Sequence, residues 1–268
     1  MQNTETNPRR SYPWKSFAAF IGIYLISLGL HYPGMLEQAR VYLEIFGESL
    51  STTAHQFVLT SLIQPLLLGI IAIYFGHRYA EKVNLRSLLM EKIESRPPAN
   101  KYTLKNSIPF IVSAAIIVAL FELSFDFIFQ NWLPEIFQPQ FTIPSIAQAM
   151  SSLFYSGVAQ EILLRWGVMT AIIYVLSTQG KRITEMHYYI GIVFTAVLYA
   201  FSQYNGIFEF VDISFVLILR ILLLSGLAGI LFGWLYRNFH FEAAVLSHVL
   251  ANTIIILANI LIVEMSSI

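Results

Sequence analysis

The chain has 268 residues, of which 56% are hydrophobic and only 12% are charged. Soluble domains carry about 25% charged residues, so this composition excludes an ordinary soluble protein. The formal net charge is zero, which gives no reason to expect a nucleic-acid partner. Cysteine is absent, and this excludes disulfides, a thiolate nucleophile and a thiolate metal site.

The apolar residues fall into blocks of about 20, the length of a helix that crosses about 30 Å of hydrocarbon. Lipid-exposed peptide groups must be paired within their own segment, and the alternating strands of a barrel are absent, so we expect helices. The sequence therefore predicts an all-α polytopic bundle of seven to eight transmembrane spans. The predicted spans lie near 16–31, 57–76, 107–129, 147–176, 189–205, 214–236 and 243–263.

The Lys and Arg residues are distributed unevenly along these spans. If the spans alternate from a cytoplasmic N-terminus, 13 of the 16 basic residues lie on the cytoplasmic side, which is the positive-inside pattern. These are Arg9, Arg10, Lys15, Arg78, Lys82, Arg86, Lys92, Arg96, Lys101, Lys105, Lys181, Arg182 and Arg237. We expect an integral protein of a bacterial cytoplasmic membrane, in contact with its lipids.

The pattern divides the chain into three parts. Residues 1–15 form a cytoplasmic tail, residues 16–144 form the N-terminal spans, and residues 145–268 form a transmembrane core. The cytoplasmic segment 77–106 has mixed charge and contains Pro97 and Pro98, which predicts a short surface helix followed by a turn.

Several polar side chains lie inside the predicted spans. Ionisable groups are costly in lipid, so each is a functional candidate unless a structural partner explains it. Glu161 and Arg165, like His248 and Asn252, are spaced i, i+4 and share a helix face. The candidates are Glu122, Asp126, Gln160, Glu161, Arg165, Asn205, Arg220, His248 and Asn252.

Three stretches resemble a known family. AQEILLRWGVM is similar to the E-E-x-x-x-R motif of the CPBP family, the membrane proteins that include type II CAAX prenyl proteases and Abi proteins. AFSQYN stands where that family has F-x-x-x-H, and GLAGILFGWLYRNFHFEAAVLSHVLAN resembles its third block, which ends in H-x-x-x-N. The resemblance covers about 145–263. It implies an eight-helix bundle with a polar intramembrane cavity and an endopeptidase activity within the membrane.

The chain departs from the family at two positions. In the family, the first Glu and the second-motif His prepare the attacking water, while the third-motif His and Asn stabilise the oxyanion. The matching positions here are Gln160, Asn205, His248 and Asn252. An amide orients a water but does not take its proton. Losing general-base assistance costs about 10²–10⁴-fold per group, so the resemblance implies reduced or lost proteolysis.

Two functions therefore stay open. In the first, the cavity binds a peptide or a membrane-protein partner without efficient cleavage. In the second, the chain is an active intramembrane endopeptidase in which Glu161 and His248 activate the water and Asn252 assists. Against the second, Glu161 next to Arg165 is a poor base, and this pair has a simpler role as a buried structural pair. His248 and Asn252 have a similar alternative in interhelical hydrogen bonding.

Other chemistries have weaker support in the sequence. His248 is the one His well inside a predicted span, so we expect no metal site and no cofactor. Ser156, Ser202 and Ser247 are available, but no His–carboxylate pair that would activate a serine is evident from the sequence. A transporter that uses Glu122, Asp126 and Arg220 is a further alternative, and it lacks the internal repeat of many transporters.

The spacing also raises a problem of depth. Counted from the inner membrane boundary, Glu161 and Asn205 lie roughly 22–25 Å deep, whereas His248 lies only about 8 Å deep. If these residues share one cavity, we expect the segment 238–247 to enter the bundle before the seventh span begins.

Overall fold

The computed structural model describes residues 12–46, 53–96, 103–132, 143–178, 182–202 and 214–266. Within these ranges the chain is helical and contains no strand. The helices are α1 (Trp14–Phe46), α2 (Ala54–Tyr79), α3 (Leu88–Ile93), α4 (Leu104–Phe129), α5 (Ile146–Ser177), α6 (Glu185–Ser202), α7 (Phe215–Asn238) and α8 (Phe241–Ser266).

Six of the described helices are long and apolar enough to cross a membrane: α1, α2, α4, α5, α7 and α8. The all-α class is thereby confirmed for the described residues, and six helices of this length and apolarity suggest an integral membrane protein. Helix α6 coincides with the fifth predicted span but has only 18 residues and does not belong to these six. Residues 203–205 of that predicted span, including Asn205, lie outside the described residues.

Helix α1 is longer than the sequence predicts. The first span was expected to end near residue 31, yet the helix passes through Pro33 and continues to Phe46. Contacts with α5 hold this extension. A Cβ added at Gly34 would lie 2.9 Å from the Cβ of Ser151, and Glu37 Oε2 accepts a hydrogen bond from Ser145 Oγ at 2.6 Å. Packing between the helices therefore outweighs the local helix-breaking signal.

Helix α5 lies at the centre of the bundle. In its most apolar stretch 56% of the residues are buried, against 17–33% in the other five membrane-length helices. It packs against α1, α2, α6 and α8. The helix begins with a capping box, in which the Ser145 hydroxyl accepts from the backbone of Gln148 and the Gln148 side chain accepts from the backbone of Ser145.

Most of α5 has π-helical hydrogen bonding. The two π-helical stretches are Ser151–Ala159 and Ile162–Met169. Gln160 and Glu161 lie between them in α-helical geometry. π-helix is rare and is frequently found at functional sites, and here it flanks Gln160 and Glu161, which the family resemblance singled out.

Residues 81–96, called the strap below, lie across the end of the bundle. The strap contains α3, as the sequence predicts for this segment. The carboxylate of Glu242 accepts hydrogen bonds from Ser87 Oγ at 2.5 Å and from the backbone N–H groups of Leu88 and Leu89, both at 2.9 Å. A carboxylate at a helix N-terminus satisfies otherwise unpaired donors, so Glu242 fastens the strap to α8.

Helix α8 begins beneath the strap rather than at the surface. Phe241 donates its backbone N–H to the carbonyl of Arg86 at 2.9 Å, and His240 Nε2 lies 3.0 Å from Ser107 Oγ of α4. The buried residues at this start are His240, Phe241, Ala243, Ala244 and Ser247. The expected entry of this segment into the bundle is therefore observed from His240 onward, and it removes the difference in depth between Glu161 and His248.

Two polar contacts join helix ends at the end of the bundle where the strap lies. Ser16 N donates to Glu94 Oε1 at 2.9 Å, which joins the start of α1 to the strap. Arg237 Nη2 donates to Glu185 Oε1 at 2.6 Å, which joins the end of α7 to the start of α6. The helix ends that carry most of the basic residues thus meet at one end of the bundle.

Candidate functional site

The candidate site lies where α5 and α8 cross. Asn252 Nδ2 donates to the carbonyl of Ser152 at 2.8 Å, and His248 Nδ1 lies 2.9 Å from Glu161 Oε1. Between these two contacts the helices approach very closely, because a Cβ added at Gly157 would lie 3.3 Å from the Cα of Val249. A glycine is needed for this approach. The crossing therefore brings both i, i+4 pairs of the sequence into one site.

Glu161 is almost completely enclosed. Its side chain is 1% exposed and that of Arg165 is 0% exposed, with Arg165 Nε 3.3 Å from Glu161 Oε2. This contact is an ion pair rather than an aligned hydrogen bond. Arg165 Nη2 donates instead to the carbonyl of Gly229 at 3.1 Å. Oε1 of Glu161 contacts His248, whereas Oε2 has the ion pair with Arg165 but no hydrogen-bond partner among the described residues, and the predicted structural pair is present.

His248 is held in a fixed orientation. Its ring stacks on Phe232 with centroids 4.6 Å apart and meets Tyr199 edge-on at 6.2 Å. Because a carboxylate only accepts hydrogen bonds, the contact with Glu161 places the proton of the neutral imidazole on Nδ1. Nε2 is then the basic nitrogen. This is the His–carboxylate arrangement that the sequence alone did not reveal.

The imidazole borders a cavity of about 400 Å³ inside the bundle, a volume in the usual range for small binding sites. Its lining combines hydrogen-bonding and ionic side chains with apolar ones. The lining residues are Val118, Glu122, Ser152, Ser156, Tyr199, Arg220, Ile221, Leu224, Ser225, Ala228, His248 and Asn252.

An ion pair lies beside this cavity. Arg220 donates from Nε and Nη2 to the two carboxylate oxygens of Asp126, at 2.6 and 2.8 Å. Of the two carboxylates that the sequence places in the third predicted span, Glu122 and Asp126, the structure shows Asp126 as the hydrogen-bonding partner of Arg220. Bidentate pairing fixes the guanidinium strongly. Glu122 borders the same cavity, so two carboxylates and one guanidinium lie on this side.

Of the two positions where this chain departs from the family, Gln160 and Asn205, the structure describes only Gln160. Gln160 lies next to Glu161 but does not border the cavity, and its Oε1 atom is buried without a hydrogen-bond partner among the described residues. Asn205 lies outside those residues. The structure thus brings together Glu161, Arg165, His248 and Asn252, of which His248 and Asn252 border the cavity, whereas Gln160 is not among the residues that border it.

Three residues that contact the site could not be identified from the sequence. Phe232 and Tyr199 flank the imidazole, and the Gly229 carbonyl accepts from Arg165. An aromatic or a glycine inside an apolar helix is common, so only the packing of the helices identifies these three. Among the described residues, no three His, Asp or Glu side chains are close enough to hold a metal ion.

Comparison with known proteins gives no match: no family model, no curated protein and no solved structure matches this chain. The resemblance to the CPBP family therefore rests on its three motifs. The structure shows a helical bundle in which six of the described helices are long and apolar enough to span a membrane and in which Glu161, Arg165, His248 and Asn252 come together.

Proposed function

We propose that the chain is a CPBP-type membrane bundle of seven to eight spans, with reduced or lost proteolytic activity, that binds a peptide segment of a membrane-protein partner in its cavity. The observation that carries this proposal is the polar cavity inside an apolar bundle. Cavity volume, hydrogen-bonding side chains and burial all suit a ligand with its own polar groups.

A peptide segment fits this chemistry. An extended peptide within a membrane has unpaired N–H and C=O groups, each of which is costly in hydrocarbon. The cavity offers hydroxyls of Ser152 and Ser156, the amide of Asn252 and the imidazole of His248 as partners. The Asn252 amide keeps a second N–H donor after its bond to Ser152.

The burial and the pairing of Glu161 support reduced catalysis. Glu161 is enclosed, bonded to His248 and paired with Arg165, so it does not reach a water in the cavity. At the adjacent position the family has its first motif Glu, whereas this chain has Gln160, whose side-chain amide has no basic site.

Peptide retention tests the binding role. Protein in lipid nanodiscs would be incubated with a library of synthetic membrane-spanning peptides, and retained and cleaved peptides would be identified by mass spectrometry. We expect selected peptides to be retained uncleaved, and Asn252→Ala to weaken retention about tenfold through the lost hydrogen bond. Asn238→Ala is the matched control, because that amide donates to the Trp234 carbonyl of its own helix and Asn238 does not border the cavity. No retention above empty nanodiscs would contradict the proposal.

Hydrolysis within the membrane is the second candidate function, and the Glu161–His248 contact favours it. An imidazole oriented by a carboxylate is a competent general base. In this candidate His248 takes the proton, and Glu161 positions it and stabilises the imidazolium that forms. Cleavage of library peptides that is lost in His248→Ala would select this function over simple binding.

Restoring the family residues gives a separate prediction. Gln160→Glu together with Asn205→His is expected to create or raise peptide cleavage, because each change returns a proton acceptor worth about 10²–10⁴-fold. The library assay measures this directly. A folded double variant that cleaves no faster than the starting protein would show that the resemblance does not extend to the catalytic groups.

A further inference from the structure

We propose that Glu122 makes the cavity selective for cations, and that it binds the ammonium or guanidinium group of a Lys or Arg side chain in the bound peptide segment. This inference rests on the proposed peptide-binding function and names the chemistry of the partner. The expected partner is a membrane-spanning segment that carries a basic residue within its apolar region.

Glu122 lies on the wall of the cavity that α4 and α7 form. Val118 and Glu122 both line the cavity, and residues four apart lie on the same face of a helix. Helix α4 packs against α7, whose lining residues Arg220 and Leu224 are also four apart. One face of each helix therefore borders the cavity, and the carboxyl group of Glu122 belongs to that wall.

Glu122 is the one carboxylate among the described lining residues. Its side chain is half-buried and makes no hydrogen bond or ion pair with another described residue. Asp126 is paired with Arg220 through two hydrogen bonds. Glu161, which does not line the cavity, is paired with Arg165. The carboxylate of Glu122 thus leaves one uncompensated negative charge at the cavity wall.

A basic residue in the partner compensates this charge. Ionised groups within membrane spans are costly and are normally paired with one another, and a Lys or Arg in a transmembrane segment of another protein has the same cost. When such a segment enters the cavity, each charge gains the partner that it lacks. An uncharged residue at the same position leaves Glu122 uncompensated, so the carboxylate selects among segments.

Arg220 is the other charged group that borders the cavity, and it would attract an anion. Its Nε and Nη2 atoms already donate to both carboxylate oxygens of Asp126, and this bidentate geometry is lost if the guanidinium turns to a ligand. The α4–α7 wall therefore favours a cation over an anion.

A set of host peptides in nanodiscs tests this selectivity. Each is an apolar segment of about 20 residues whose central residue is Lys, Gln or Glu. We expect the starting protein to bind the Lys host at least about tenfold more tightly than the Gln host, and the Glu host most weakly. Glu122→Gln should remove this preference, and Glu122→Lys should reverse it in favour of the Glu host. Glu185→Gln is the matched control, because it makes the same change at a carboxylate outside the cavity.

A free amine is a second source of the same chemistry. Binding to the folded state raises the unfolding midpoint, so n-hexylammonium is compared with hexanol on the starting protein and on Glu122→Gln. A rise that depends on Glu122, without a preference for the Lys host, would assign the site to a small amine and overturn the assignment to a peptide side chain. Monodisperse elution and a cooperative unfolding transition show that each variant is folded.

The outcomes separate this inference from the function on which it rests. Equal binding of the Lys and Gln hosts, or a preference of the starting protein for the Glu host, overturns the role of Glu122 and leaves the peptide-binding function intact. A preference for Lys that persists in Glu122→Gln also overturns it. No binding of any host contradicts the proposed function and this inference together.

Discussion

At the scale of single residues, the buried ion pair dominates the expected energetics. Arg165 has Glu161 as its carboxylate partner, and both side chains are within 1% of full burial. Removing one partner of a buried pair leaves an uncompensated charge and costs about 3–5 kcal/mol. We therefore expect Arg165→Met to lower the thermal unfolding midpoint in detergent substantially, or to reduce the yield of folded protein.

The double variant distinguishes stranded charge from lost packing. Glu161→Gln with Arg165→Met leaves no charge buried, and the Gln side chain still offers His248 an acceptor, so we expect it to be more stable than Arg165→Met alone. Glu185→Gln is the surface control: its side chain is 68% exposed, and the loss should stay below about 1 kcal/mol. A double variant no more stable than the single one would assign the loss to packing.

Residue spacing predicted the pair along one helix, whereas the direct contacts between helices could not be read from spacing. Spacing of i, i+4 is a local property, so the Glu161–Arg165 contact followed from it. The contact between Glu161 and His248 depends on how far α8 enters the bundle, and that depends on the strap covering Phe241. No local pattern encodes such a register, so spacing alone did not show this contact, and the expectation that Glu161 and His248 act in one site came from the family resemblance.

At the scale of helices, the crossing of α5 and α8 depends on a missing side chain. A Cβ at Gly157 would lie 2.6 Å from Val249 Cγ2, closer than two carbons pack. Overpacking of this kind costs about 1–3 kcal/mol, so we expect Gly157→Ala to lower the unfolding midpoint. It should also weaken peptide retention, because separating the helices lengthens the Glu161–His248 contact.

Two further variants test the cause. Val249→Ala removes the clashing methyl groups and should restore part of the stability lost in Gly157→Ala, although the Val249 backbone still lies close. Gly226→Ala is the control, because nothing lies within 4 Å of a Cβ added there. It should be neutral or stabilise by up to about 1 kcal/mol through helix propensity. Equal losses in Gly157→Ala and Gly226→Ala would contradict the packing argument.

The sequence predicted where the helices lie, but it did not predict the length of α1 or the π-helical winding of α5. Apolar blocks locate spans because lipid forces each block to satisfy its own backbone. The continuation of α1 past Pro33 and the π-helical winding of α5 arise from contacts between helices that are distant in sequence. Both features lie on α5 or against it, and the π-helical stretches flank Glu161 directly.

At the scale of the whole molecule, charge is separated between the two ends of the bundle. The strap and the start of α6 lie at the end with most basic residues, and contacts such as Ser16–Glu94 and Arg237–Glu185 hold that end together. Basic loops are retained on the cytoplasmic side during insertion. We therefore propose that the strap faces the cytoplasm and that the α4 terminus near Asn131 faces the opposite side.

Single cysteines test this orientation, since the chain has none of its own. Lys92→Cys in the strap and Asn131→Cys after α4 replace exposed residues, so neither change should disturb packing. In spheroplasts, a membrane-impermeant maleimide should label Asn131→Cys and should not label Lys92→Cys. Inverted vesicles should reverse the result, because the reagent then reaches the cytoplasmic face first. The opposite pattern would place the basic end outside and would show that insertion of this bundle is not governed by its loop charges.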